Sequence, residues 1–305
     1  MERLATGLQK LADGFDGRVG IGVRSRAGAV TIRSGERFSL QSVMKLIVVA
    51  TVMDAVDRRG RKLGETVLVR REDLSLNVQP IADLVGKSGY RTTIGDLIAR
   101  AVNDSDSAAT DILFARVGGA SGIAAFLKHA QVADRVRVDR DERHLQTEIA
   151  GLTWRPEYVD ATLLEKAKEA VPPAKRDAAY ETYRKDGRDT ATPDGMAAFL
   201  FALAAGQLLS SASTRHLLGV MRQTRTGTDR IRAGMAKGWT LGNKTGTSGS
   251  HRGLTVATND VGILTTPNGR RIAVAVFVAD SRRSEKERAA LIAEVARAVI
   301  ADYEQ

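Results

Sequence analysis

Cysteine is missing from all 305 residues, which excludes disulfides and thiolate metal sites. Histidine is scarce. His129, His144, His216 and His251 show no ligand-like spacing, so no metal and no cofactor is expected. No apolar run is long enough to cross a bilayer as a helix. The opening stretch, MERLATGLQKLADGF, has an amphipathic helical pattern and lacks the apolar centre of a signal peptide. Internal repeats and low-complexity tracts are absent. Of the six prolines, three fall between positions 147 and 188.

What is present is ordinary for a globular chain: 43% apolar and 27% charged residues. The net charge of +10 invites a nucleic-acid reading. Yet the lysines and arginines are scattered, mixed with acids and rarely beside aromatics, so a solvated basic surface is the better account. Neither a nucleic-acid nor a membrane partner is expected.

Strand-like segments lie at both ends. RVGIGVRS and GAVTIRS follow the first helix. WTLGNKTGT, GLTVATNDVGILTT and RRIAVAVFVAD come late, before a last helix, EKERAALIAEVARAVI. From about 61 to 219 the pattern is mostly helical, with Ser, Thr or Thr-Pro at helix starts and Thr92 or Thr93 capping one of them. The economical fold is α+β: an antiparallel sheet flanked by terminal helices, built from residues 1–40 and 223–305, with an all-helical domain over 41–222 inserted between them. Residues 147–188 are highly charged, with two short helices expected around Pro172-Pro173; long connections of this kind are usually functional or mobile.

One stretch poses a chemical question. In LQSVMKLIVVATVMDAV, Leu40–Val56, a lysine heads an almost unbroken apolar run, three places after Ser42. A helix apolar on every side is buried, and buried lysine needs a partner. Lys45 either snorkels to water at the helix end or is held inside for Ser42. At i and i+3 the two share a helix face, and a desolvated lysine beside a hydroxyl can act as its base. S-x-x-K alone is too loose a pattern to decide.

Three further clusters narrow the choice. Ser105-Asp106-Ser107 sits at an expected junction of two helices. Glu142 lies in an expected loop, DRDERHLQ, with Gln146 four residues on. Lys244-Thr245-Gly246 lies on an expected strand, with Arg252 beyond the next turn. Singly, each has a plain structural reading: a helix cap, a solvated loop acid, an edge-strand lysine. Together the order S-x-x-K, S-D-S, D-R-x-E-x-x-L-Q, K-T-G resembles the class A serine β-lactamases, within the penicillin-recognising serine enzymes, over nearly the whole chain.

The resemblance implies an acyl-enzyme mechanism on a β-lactam. Ser42 is the implied nucleophile, Lys45 its proton acceptor, Ser105 the proton relay to the departing nitrogen. Glu142 activates the deacylating water, which Gln146 helps to hold. Ser107 meets the substrate's acyl side chain. Lys244, Thr245, Gly246 and Arg252 bind the substrate carboxylate side, and the N–H groups of Ser42 and Thr247 form an oxyanion hole. Arg140 and Asp189 pair across the neck of an Ω loop, enlarged here to about 139–189. A small-molecule substrate, a monomer and a periplasmic or secreted location follow from the same resemblance.

Four departures bear on substrate fit and deacylation. Ser107 stands where the family has asparagine, and offers only a hydroxyl. Gln146 replaces a second asparagine. Arg143 follows the glutamate where proline is common, so a cis peptide there becomes expensive. The Arg140–Asp189 segment is about thirty residues longer than the family's loop, enough for a helical flap. The alternative reading is therefore a relative that acylates but turns β-lactams over poorly: a D-alanyl-D-alanine carboxypeptidase, esterase or penicillin-binding protein.

Overall fold

The structure, a computed structural model, describes residues 1–304. In chain order its elements are α1 (Glu2–Asp13), β1 (Arg18–Ser25), β2 (Gly28–Ile32), β3 (Phe38–Ser39), α2 (Met44–Arg59), β4 (Thr66–Val69), β5 (Tyr90–Thr93), α3 (Ile94–Ala99), α4 (Ser107–Arg116), α5 (Gly119–His129) and α6 (Glu142–Ile149). Then come α7 (Ala161–Ala170), α8 (Pro173–Lys185), β6 (Thr190–Ala191), α9 (Pro193–Ala204), α10 (Ser211–Arg222), β7 (Thr240–Thr247), β8 (Ser250–His251), β9 (Leu254–Thr255), β10 (Thr258–Thr265), β11 (Arg271–Ala279) and α11 (Glu285–Tyr303).

The two chain ends meet in one five-stranded antiparallel sheet, ordered β2-β1-β11-β10-β7. The period-two pattern of β11 sets its two faces. Ile272, Val274, Val276 and Val278 join the core beneath α1 and α11, with Leu8, Ile292 and Val295. Ala273, Ala275 and Phe277 face the helical half. On β1 the second face is glycine: a Cβ on Gly22 would lie 2.2 Å from the Pro193 carbonyl oxygen, so α9 settles directly on the strand.

The inserted helices surround α2, whose residues Leu46 to Ala50 are fully buried, as an all-apolar helix requires. It ends at Gly60 in the left-handed conformation, φ 65°. Thr93 caps α3, accepting the Asp96 N–H at 3.2 Å.

Three elements differ from the sequence reading. The stretch read as helical from residue 61 holds a two-stranded ribbon, β4 with β5. GLTVATNDVGILTT is split, its first part forming β9 against β8 and its second part β10. Glu142 is not in a loop: it opens α6, with Asp141 as the cap accepting the His144 N–H at 3.0 Å. The expected helices around Pro172-Pro173 are α7 and α8.

Candidate active site

The Gln41–Val43 turn delivers the chain into α2 and places Ser42, half-buried, at the head of that helix. The turn is held from three sides. Asn259 on β10 donates to the carbonyls of Ser39 and Leu40 at 2.8 and 3.1 Å. The Leu40 N–H donates to the Asp189 carbonyl at 2.9 Å. Gly246 lies so close that a Cβ there would stand 2.4 Å from the Leu40 carbonyl oxygen. Gln41 is bent into the left-handed region, φ 47°, a costly conformation for a residue with a side chain.

Lys45, in the first turn of α2, is 1% exposed. Its ammonium donates to the Ser105 carbonyl and, at 3.0 Å, to Ser107 Oγ, and faces Glu142 Oε1 at 3.4 Å. The lysine does not snorkel; a carboxylate and two acceptors accompany its burial. Ser105 takes a left-handed conformation, φ 58°, between a π-turn and α4, and accepts from Lys244 Nζ at 3.0 Å through its hydroxyl. Lys244 is fully buried on β7, and burial first, then the Lys45 charge, holds its ammonium well below the usual lysine range. Ser42, Lys45, Ser105, Ser107, Glu142 and Lys244 thus converge from α2, α4, α6 and β7.

Glu142 is itself over-determined. Its N–H donates to Asp111 Oδ1 at 2.7 Å, and Gln146 Nε2 donates to Glu142 Oε2 at 3.2 Å and to Gln41 Oε1 at 3.1 Å. Glu142 Oε1 is buried with no hydrogen-bond partner. Among the described residues there is no cis peptide, so Arg143 follows Glu142 through an ordinary trans bond. Asp111, on α4, binds this segment, accepting from Ser75 Oγ at 2.6 Å and from Arg143 Nε at 3.3 Å as well. Burial and the nearby Asp141 and Glu142 charges push its carboxyl up to about 7.

The neck of the long loop closes as expected. Arg140 Nε donates to Asp189 Oδ2 at 2.6 Å, and Asp189 Oδ1 accepts the N–H groups of Asp139 and Arg140 at 2.6 and 3.0 Å. Inside the loop, Tyr183 on α8 hydrogen-bonds Ser39 Oγ at 2.9 Å and receives the Gln41 amide; Tyr180 donates to the carbonyls of Gly249 and Leu254 at 2.9 and 2.8 Å.

Arg252 is 70% exposed and its guanidinium binds Asp177 of α8, inside the inserted segment, at 2.6 Å; it is not among the residues lining the cleft over Ser42 and Lys45. Arg230 stands against the K-T-G strand: buried, it donates to Thr247 Oγ1 at 2.7 Å and to the Asn259 carbonyl at 2.9 Å. Thr245 Oγ1 meets Thr226 Oγ1 at 2.7 Å.

The sequence reading missed Arg230, Asp111, Gln41 and Tyr183. Only Asp111 carried a signal, as a lone acid inside the apolar run SAATDILF.

A cleft of about 390 Å³ opens over these groups, lined among others by Gln41, Ser42, Lys45, Ser107, Glu142 and Thr247. A hydroxyl at a helix head with a buried lysine, a carboxylate and a second serine hydroxyl nearby has the groups that acyl transfer followed by hydrolysis requires.

Comparisons with known proteins point to one family. The pattern described as "Beta-lactamase enzyme family" matches residues 3–303. Beta-lactamase VEB-1 of Pseudomonas aeruginosa is 25% identical over 97% of this chain and 89% of its own length. The extended-spectrum beta-lactamase PER-1 of the same organism is 28% identical over 86% of this chain and 74% of its own. Among solved structures, an ancestral class A beta-lactamase superposes with a TM-score of 0.77 at 30% identity, covering 98% of this chain and 99% of that one. A beta-lactamase from Chitinophaga pinensis gives 0.80 at 26% identity, covering 98% and 99%.

Proposed function

The chain belongs to the β-lactamase enzyme family, related to its class A serine enzymes, and from that premise we propose that it hydrolyses β-lactams through an acyl-enzyme on Ser42, released by a water that Glu142 activates. The observation that carries the reading is the single buried network in which Lys45 touches Ser107, Ser105 and Glu142 at once, beside Ser42.

In this reading Lys45 first passes a proton to Glu142 Oε1, 3.4 Å away, and as the neutral amine takes the Ser42 proton while Ser42 Oγ bonds to the lactam carbonyl carbon. The C–N bond of the ring breaks, and the nitrogen receives the Ser105 hydroxyl proton, which Lys45 replaces with the one it took from Ser42 before recovering its own from Glu142; the Lys244 contact at 3.0 Å holds the Ser105 hydroxyl in place. The N–H groups of Ser42 and Thr247 hold the carbonyl oxygen as charge develops on it. Thr245 and Thr247, with Lys244 and Arg230 behind them, meet the ring carboxylate. A water then attacks the ester, giving its proton to Glu142 Oε1, a buried oxygen with no hydrogen-bond partner; the acyl C–O bond breaks as Ser42 Oγ takes a proton from Lys45, which Glu142 then restores. Gln146 fixes the other oxygen. The enzyme works as a monomer without a cofactor, in the periplasm or outside the cell.

One observation favours the alternative, an acylating relative with poor turnover: the Gln146 amide bridges Glu142 and Gln41 and crowds the side from which the water comes. Intact-mass spectrometry after mixing with benzylpenicillin, run beside a ring-opening assay, separates the two. Fast ring opening with little adduct is expected, and no adduct with Ser42→Ala. A stable one-to-one adduct without turnover establishes the alternative; neither adduct nor ring opening overturns both.

A further inference from the structure

Among the described residues, the cleft wall carries three charged side chains: Lys45, Glu142 and Lys168. The first two face each other at depth. Lys168 comes from α7, inside the inserted segment, and lines the wall that α6 forms with Gln146, Ile149 and Ala150. Nothing in LLEKAKEAV sets Lys168 apart from Lys166; the fold selects it, turning Lys168 to the cleft and Lys166 to solvent.

The partner of Lys168 is Glu165 Oε1 at 2.8 Å, one turn earlier, and the two side chains are 32% and 63% exposed. An exposed pair of this kind is weakly held, so Glu165 can swing to water and leave the ammonium to another anion. The opposite side of the site already holds the Arg230 guanidinium, behind Thr247 of β7. A substrate lying between the two sides therefore meets positive charge at both ends. Ser107 Oγ accepts from Lys45, which leaves a single O–H donor and one lone pair for the acyl side chain.

We propose that Lys168 is a specificity residue that selects β-lactams whose acyl side chain carries a second anionic group. The inference rests on the function proposed above. Carbenicillin and benzylpenicillin differ by one side-chain carboxylate and make the test. The quantity read is the ratio of their kcat/KM values in the full-length enzyme. Lys168→Ala lowers the ratio about three- to fivefold, the range of one exposed charge contact. Lys168→Arg keeps it, and Glu165→Gln raises it. Salt at about 0.5 M narrows the preference in the parent but not in Lys168→Ala.

A ratio unmoved by Lys168→Ala overturns the inference, whether both substrates are turned over as before or lose rate in proportion. If the enzyme acylates without turnover, the ratio is read from rates of adduct formation. A chain that reacts with neither penicillin fails at the proposed function, and this inference fails with it.

Discussion

Removing the Glu142 carboxylate while keeping its shape separates the two halves of the proposed reaction. Glu142→Gln retains a side chain beside Lys45 and Gln146 but cannot take a proton. Adduct with benzylpenicillin should form and persist, with turnover down about 10²- to 10⁴-fold, the usual weight of a general base. Undiminished turnover would remove Glu142 from the mechanism. Asp111, beneath it, bears on stability. Its carboxyl is raised from 3.8 to about 7, chiefly by burial. Between those values the folded chain binds more protons than the unfolded one. The contribution of Asp111 to stability is therefore complete below about 3.8 and lost as pH rises through about 7. Asp111→Asn cannot titrate, so its melting temperature relative to the parent should rise between about pH 4 and pH 8; a difference that stays flat or falls refutes this. At this scale the sequence is legible where chemistry is carried by residue type in fixed local spacing, as with Ser42 and Lys45 or Lys244 and Thr245. It is illegible where a contact joins distant segments. Nothing local says that Asp177 will pair with Arg252 or that Arg230 will stand behind Thr247.

Strand β7 shows why an element, and not only its side chains, belongs to the site. The glycine of K-T-G lets the strand press on the turn before Ser42, and a Cβ at Gly246 meets backbone, the Leu40 carbonyl oxygen at 2.4 Å, which has no rotamer through which to yield. Gly246→Ala should cost about 1–3 kcal/mol, as overpacking does. It should also slow acylation more than an equally destabilising change elsewhere, because it displaces Leu40 and with it Ser42. Thermal melts and single-turnover adduct formation check both halves; normal acylation at lowered stability would detach the strand's position from the chemistry. Elements of this length were legible from their period-two and helical patterns. The β4–β5 ribbon was not: each strand has four residues, about twenty residues of irregular chain separate them, and their pairing is fixed only by the fold. Glu142 was misread as a loop residue because DRDERH is charged throughout, and the signal that matters, Asp141 as a cap, is one acid among several.

At the scale of the molecule, the enlarged loop is two structures with different attachments. Its α8 half belongs to the main core through Tyr180 and Tyr183, and Tyr183 holds the nucleophile turn through Ser39 and Gln41. Its α7 half packs apart, Tyr158 and Leu164 covering Leu76 in a small satellite cluster. The halves meet where Gly151 approaches Val171, a Cβ at the glycine falling 3.3 Å from Val171 Cγ1. Excising residues 152–170 and joining Gly151 to Val171 therefore asks little movement of the remaining chain. The excision gives up the satellite burial but also the entropy of ordering that segment, terms that nearly cancel for so small a cluster. The neck pair Arg140–Asp189 stays, as does the Asp189 carbonyl under Leu40. The shortened enzyme should lose no more than about 2 kcal/mol by urea unfolding and keep acylating benzylpenicillin, while its wall at Lys168 disappears and bulkier acyl side chains gain rate. Tyr183→Ala, a single substitution in the other half, should cost about 3–5 kcal/mol and slow acylation, since the Gln41 amide N–H beside Ser42 loses its acceptor. If the excision proves the more damaging change, α7 is part of the folding unit rather than a wall added to it.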